Sequence, residues 1–154
     1  MKGIEQLNKN NFKQIENRLN NFKSIDIKIR NIDLDINFLK NDISISGTSF
    51  EERPSSTNAF SSVVENNAVR REEKNVLDNL ECLERQKQLL LKEKSKMENA
   101  LSALSDMEYE VIALRYFSRN KATWTGVSTR LGYAEVWCKK VRAEAINKLI
   151  HLLS

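Results

Sequence analysis

Glycine and proline are scarce in this chain, at four and one in 154 residues. Tight hairpins need those residues and helix interiors reject them, so a strand-and-turn architecture is excluded and an all-α fold is predicted. Cysteine occurs only as Cys82 and Cys138, far apart in sequence and with no second Cys or His at metal-ligand spacing. A disulfide framework and a zinc centre are thereby excluded, and two free thiols in a reducing compartment are expected. His151 is the only histidine; no carboxylate pair, Ser or Cys is arranged with it, and no glycine-rich loop could cradle a phosphate. The sequence therefore predicts neither an enzyme nor a cofactor. Apolar runs long enough to span a bilayer are missing, and the chain opens on a polar helix rather than an apolar signal core, so a cytoplasmic protein without a membrane partner is expected.

What the chain has is charge, with a slight basic excess. Charged residues make up 30% of it, the formal net charge is +4 and the isoelectric point is near 9.1. The excess is uneven: residues 1–43 carry about +2, residues 44–104 about −1 and residues 105–154 about +3. The last segment therefore has the highest density of positive charge, which favours an anionic partner there.

The N-terminal third repeats every seven residues. Ile15, Phe22, Ile29, Ile36 and Ile43 form one register; Ile25, Ile32 and Leu39 form the other, with Arg18 as its only break. Alternating steps of three and four place these side chains on one narrow helical stripe, the seam of a coiled coil. Residues 1–43 are thus predicted as one long helix in need of a helical partner. Residues 44–61, rich in Ser, Thr and Asn and containing Gly47 and Pro54, read as a linker. Helix resumes near Ser61 or Ser62, where Ser62 and Glu65 have capping-box spacing. Over residues 62–104 a second seam runs through Val69, Val76, Leu80, Leu83, Leu90, Met97, Leu101 and Leu104, interrupted by Glu73, Lys87 and Lys94. Each helix would reach roughly 60 Å at 1.5 Å per residue, so the two match as an antiparallel hairpin. The same stripe would serve equally for a homodimer through these helices.

Residues 105–154 read as a separate helical module. Ser105 and Glu108 form a second capping box, opening a helix that should end between residues 117 and 120 with Met107, Val111 and Leu114 on one face. Thr123 is an N-cap candidate for a short helix, Trp124 to Leu131, and Gly132 ends it in the left-handed conformation. A last helix from Glu135 to about Leu152 should bury Cys138, Val141, Ala145, Leu149 and Leu152. Val127, Leu131, Cys138 and Val141 would form the small core between two crossed helices, with small Ser128 allowing their close approach. This is the spacing of a helix-turn-helix. Trp124 is expected to anchor that core rather than to touch a ligand. Trp137 lies off the buried stripe, free for DNA or protein contact or packed on the N-terminal helices. Lys139, Lys140 and Arg142, directly after the turn, are placed for phosphate contact.

The runs Leu104-Ser105-Asp106-Met107-Glu108, Val111-Ile112-Ala113-Leu114-Arg115-Tyr116, Val127-Ser128-Thr129-Arg130-Leu131-Gly132-Tyr133 and Val141-Arg142-Ala143-Glu144-Ala145-Ile146-Asn147-Lys148-Leu149 resemble the fourth conserved region of bacterial housekeeping-type sigma factors. That region reads the promoter −35 element. The similarity covers residues 104–153, about a third of the chain. Closer still is the resemblance to phage late-gene regulators of the RinA and ArpU type, which also tend to have a Trp in the slot of Trp124, long N-terminal helices and a linker like Ser61 to Glu65. The resemblance implies base-reading positions at Glu135, Val136, Lys139 and Lys140, with Trp137 beside them, and DNA-backbone contacts at Lys121, Thr123, Arg130 and Arg142. The chain departs from the family pattern at Ala134, where a helix-capping Ser is usual, and at Val136 and Trp137, which replace polar residues. An apolar contact to thymine methyl groups would suit Val136.

These readings lead to a sequence-specific, double-stranded-DNA-binding transcription regulator, an activator of phage late genes in the cytoplasm of a bacterial host, acting through contact with RNA polymerase. A complete sigma factor is disfavoured, because residues before 104 carry heptads in place of the Trp, Tyr and basic cluster that captures flipped bases. Two other readings are a phage DNA-packaging adaptor, the small terminase subunit, and a structural protein whose helix-turn-helix binds protein.

Overall fold

Helix-favouring composition and two heptad seams produce a chain whose regular structure, among the described residues, is entirely helical. The computed structural model describes residues 2–47 and 61–154, with side chains described for 8–43 and 68–154. Helix α1 spans Lys2–Gly47 and α2 Ser61–Ser102. Then α3 covers Asp106–Ile112 and continues into a π turn, Ala113–Phe117; α4 is Trp124–Leu131 and α5 is Glu135–Leu153. Helix α1 runs four residues beyond its expected end at residue 43. Most of the expected linker, and the side chains of Ser62 and Glu65, lie outside the described residues. No described helix is long and apolar enough to cross a membrane.

The chain forms two compact units, and α1 and α2 contribute to both. In the unit of residues 28–91, the heptad seams of the two helices face each other within one chain. Ile36 is buried; Ile32, Leu39, Val76, Leu80, Leu83 and Leu90 are half-buried; Val69, at 49% exposure, is outside the seam. The antiparallel sense is recorded by ion pairs, Lys87 to Asp33 at 2.5 Å and Lys40 to Glu84 at 3.4 Å. Lys87, which interrupts the apolar seam in sequence, thus reaches across to the partner helix.

The other unit joins residues 1–27 to residues 92–154. Lys94, a second seam interruption, donates to Asp26 at 2.7 Å, and Arg18 grips Glu93 at 2.8 and 3.2 Å. Three breaks in the apolar pattern, Arg18, Lys87 and Lys94, are therefore ion-paired across the hairpin. The Asp26 hydrogen bond holds the Lys94 ammonium above its ordinary value, against desolvation. Ile15, Leu19, Met97, Ala100, Leu101 and Leu104 form one core with Ile112, Tyr116, Ala145, Ile146 and Leu149. Leu19 is fully buried although it lies off the heptad stripe, because this part of α1 is covered by more than one helix and needs a wider apolar face.

Helix α5 differs from expectation for the same reason. Leu152 is 52% exposed rather than buried, whereas Ile146 is fully buried. Helix α5 packs on α3 and α4, and Cys138 and Val141 are buried on it outside the cluster that holds Ala145. A second face, with Ile146, Leu149, Ile150 and Leu153, turns to the core that includes Ile15 and Leu19.

Candidate nucleic-acid interface

The helix-turn-helix is built by its capping groups. Thr123 Oγ1 accepts from the Gly126 N–H at 3.1 Å and starts α4. Gly132 ends it at φ 73°, a conformation costly for residues with a Cβ, and donates its N–H to Ser128 O at 2.9 Å. Ser128 Oγ then donates to Tyr133 O at 2.5 Å, which ties α4 to the turn. Val127 and Cys138 are fully buried and Val141 nearly so, forming the joint between α4 and α5. The first turn of α5 has no side-chain cap, since Ala134 cannot supply one.

Upstream, Ser105 and Glu108 close the capping box, with Glu108 accepting from the Ser105 N–H at 2.9 Å and Ser105 Oγ from the Glu108 N–H at 3.3 Å. Lys148 of α5 reaches the same carboxylate at 2.7 Å. Burial opposes ionisation of Glu108, but Lys148 and the Ser105 backbone and hydroxyl outweigh it and hold the carboxyl below its ordinary value. The box thereby fixes α3 to α5 as well as starting α3.

Against this frame the reading positions separate into two groups. Val136 is 79% exposed, and Lys139, Lys140, Arg130, Lys121 and Thr123 are exposed. Trp137 stacks on Tyr133, ring centroids 4.2 Å apart at 26°, so it forms an aromatic shelf beside Val136 and does not enter the core. Glu135 is half-buried: Thr125 Oγ1 donates to it at 2.7 Å, and Lys139 lies 3.6 Å away. That pair links the starts of α4 and α5. Lys121 donates to Asn20 Oδ1 at 2.7 Å.

Arg142 stands apart from the other cations. Its Nη1 lies 3.0 Å from Glu16 Oε1, and its guanidinium sits over the rings of Phe12 and Trp124 at 5.4 and 5.2 Å. Tyr116 donates its hydroxyl to the same Glu16 oxygen at 2.5 Å. Burial, then Glu16, pushes the Tyr116 phenol well above its ordinary value, opposed by Arg142. Arg142 is thus held by α1 and the π turn, with its Nε buried and without a hydrogen-bond partner among the described residues. Trp124 is half-buried and ringed by cations, with Arg115 at 4.9 Å and Lys139 at 5.8 Å besides Arg142. Arg115 also donates to Ala122 O at 2.8 Å, fixing the loop before α4.

Glu16 and Phe12 carry no signal in the sequence pattern, and Tyr116 and Tyr133 enter it only as members of the sigma-like runs. Glu16 lies off the heptad stripe and Phe12 precedes its first member, while Tyr133 belongs to the turn. Only a fold that brings residues 12–16 to residue 142 gives Glu16 and Phe12 a role, whereas Tyr133 acts locally through its stack on Trp137. Among the described residues no group of acidic, His and Cys side chains could hold a metal ion.

No curated protein and no solved structure matches the chain. A family model described as a protein of unknown function, DUF722, matches residues 20–151, which takes in most of both long helices and nearly all of the helix-turn-helix. The chain belongs to the DUF722 family.

Proposed function

We propose that this protein is a sequence-specific, double-stranded-DNA-binding transcription regulator that docks the N-terminal turns of α5 in a major groove. The observation that carries the reading is the division of α5. Its inward face, Cys138 and Val141, locks the helix-turn-helix, while Val136, Trp137, Lys139 and Lys140 stand outward on the first two turns. A helix presented in this way places side chains at base edges, with flanking cations for phosphates. Arg130 at the end of α4 and Lys121 before it supply further positive charge on the same module. Arg142 serves here as the clamp to Glu16, and its positive charge is already matched. The sigma-like sequence pattern supports action as an activator of phage late genes through contact with RNA polymerase.

The reading is tested by fluorescence anisotropy on duplexes selected from random sequence, followed across salt concentration. Lys139→Ala with Lys140→Ala should weaken binding and flatten the salt dependence by roughly two units in the log–log slope, about one per phosphate contact. An unchanged slope, or no selected sequence at all, overturns the proposal. Transcription from a late promoter carrying the selected site should depend on the protein. Ring assembly of many subunits without any effect on transcription would replace this reading by the packaging adaptor.

A further inference from the structure

The heptad seam of α1 is occupied by α2, yet the same helix carries a second stripe on its outer side. Asn31, Leu34, Phe38 and Asn41 follow steps of three, four and three, and all four are exposed; Leu34 is 67% and Phe38 73% exposed. Large apolar side chains at heptad spacing on a solvated face mark a contact surface rather than scattered surface residues. A shallow groove of about 490 Å³ adjoins the stripe at Asn31, and its lining includes Ile32, Leu90 and the exposed Leu89 of α2. The groove thus meets the stripe at Asn31 and adds exposed apolar area from α2 within the unit of residues 28–91.

The order of residues along the stripe identifies what covers it. Asn, Leu, Phe and Asn at 31, 34, 38 and 41 are symmetric about position 36, polar at both ends and apolar in the middle. An antiparallel second copy centred there sets Leu34 against Phe38 of the partner, twice, and Asn31 against Asn41 of the partner, twice. Apolar groups meet apolar groups, and paired asparagines satisfy one another where a mismatch would bury an amide against a hydrocarbon. Shifting the antiparallel register by one heptad would instead oppose Leu34 to Asn31. Flanking charges agree: the centred register brings Lys28 to Asp42 of the partner on both sides, leaving a single like-charge pair, Asp35 against its own copy. Parallel alignment would also match like with like along the stripe, but its two Arg30–Asp35 pairs are offset by Lys23 opposing Lys28 twice.

We propose that a second copy of this chain docks on the stripe of Asn31, Leu34, Phe38 and Asn41, antiparallel and centred near Ile36, giving a homodimer through the outer face of α1. The contact is isologous, each copy giving and receiving the same patch.

Sedimentation velocity of the full chain over a concentration series tests the proposal. A monomer–dimer equilibrium is expected, and a monomer at every concentration overturns it. Leu34→Glu and Phe38→Glu should each raise the dimer Kd by about tenfold or more. Because both side chains are solvated in the single chain, helicity and the thermal midpoint of diluted protein should stay the same. A dimer indifferent to both variants lies on another surface and overturns the assignment. Asp35→Asn decides the register: it removes the one like-charge pair and should tighten the dimer. A weaker dimer with Asp35→Asn would mean that Asp35 meets a cation, as in parallel pairing with Arg30, and the antiparallel register would be wrong.

Discussion

Gly132 shows how one residue sets the geometry of the reading helix. Its φ of 73° is left-handed, and a Cβ added there would meet nothing within 4 Å, so the cost of substitution is conformational rather than steric. Gly132→Ala should lower unfolding free energy by about 1 kcal/mol, and Gly132→Asn by less, since Asn tolerates that region better. Urea unfolding of the pair measures the order. Glu108 links α3 to α5, and its folded pKa lies below its unfolded value. Its stabilisation is therefore complete above pH 4.5 or so and is lost as pH falls toward the lower folded value. Glu108→Gln should flatten that acid limb in thermal melts at successive pH values, and an unchanged limb would mean the carboxylate is not ion-paired in solution. Gly132, Ser105, Glu108 and Thr123 were all legible in the sequence, because caps and turns are local chemistry. The Arg142 clamp was not, because Glu16 is 126 positions away and nothing local requires it.

Helices were legible where their faces have one neighbour and less so where they have two. The seam of α1 accounts for Ile15, Ile25 and Ile36, all buried, but not for Leu19, which is buried because helices beyond α2 cover that stretch. Leu19→Ala should cost about 2–5 kcal/mol, the range for a buried leucine replaced by alanine, despite lying outside the heptad pattern. A loss much below that range in denaturant titration would mean that the site collapses or that Leu19 is solvated. Helix α5 is the converse case. Reading it as a single stripe put Leu152 inside and left out Ile146, whereas two covered faces leave Leu152 at the solvent edge. The outer stripe of α1 is not legible in the sequence, because a dominant a/d register masks a weaker one on the opposite side. In α2 the lysines that look like defects, Lys87 and Lys94, are paired with Asp33 and Asp26, so replacing either by leucine should leave an aspartate unpartnered and gain little from added apolar area.

At the scale of the molecule, the helix-turn-helix is continuous in sequence but does not complete its own core. Ile146 and Leu149 are covered by a cluster that includes Ile15, Leu19, Met97 and Leu101. A fragment of residues 105–154 should therefore melt with less cooperativity than the intact chain and bind a hydrophobic dye, whereas the chain with residues 1–27 and 92–154 retained should not. Sharp unfolding of the short fragment at the midpoint of the whole protein would show that the cover contributes nothing. The arrangement also bears on how the chain is made. Glu16 is joined to Tyr116 and Arg142 across separations of 100 and 126 residues, unusually non-local for a helical protein. During synthesis, Phe12, Ile15 and Leu19 must wait for α5 to leave the ribosome before they are covered. Until then the nascent chain displays an unmatched apolar surface, a natural substrate for chaperones and a reason to expect slow, sequence-distant closure rather than the fast local folding usual for helices.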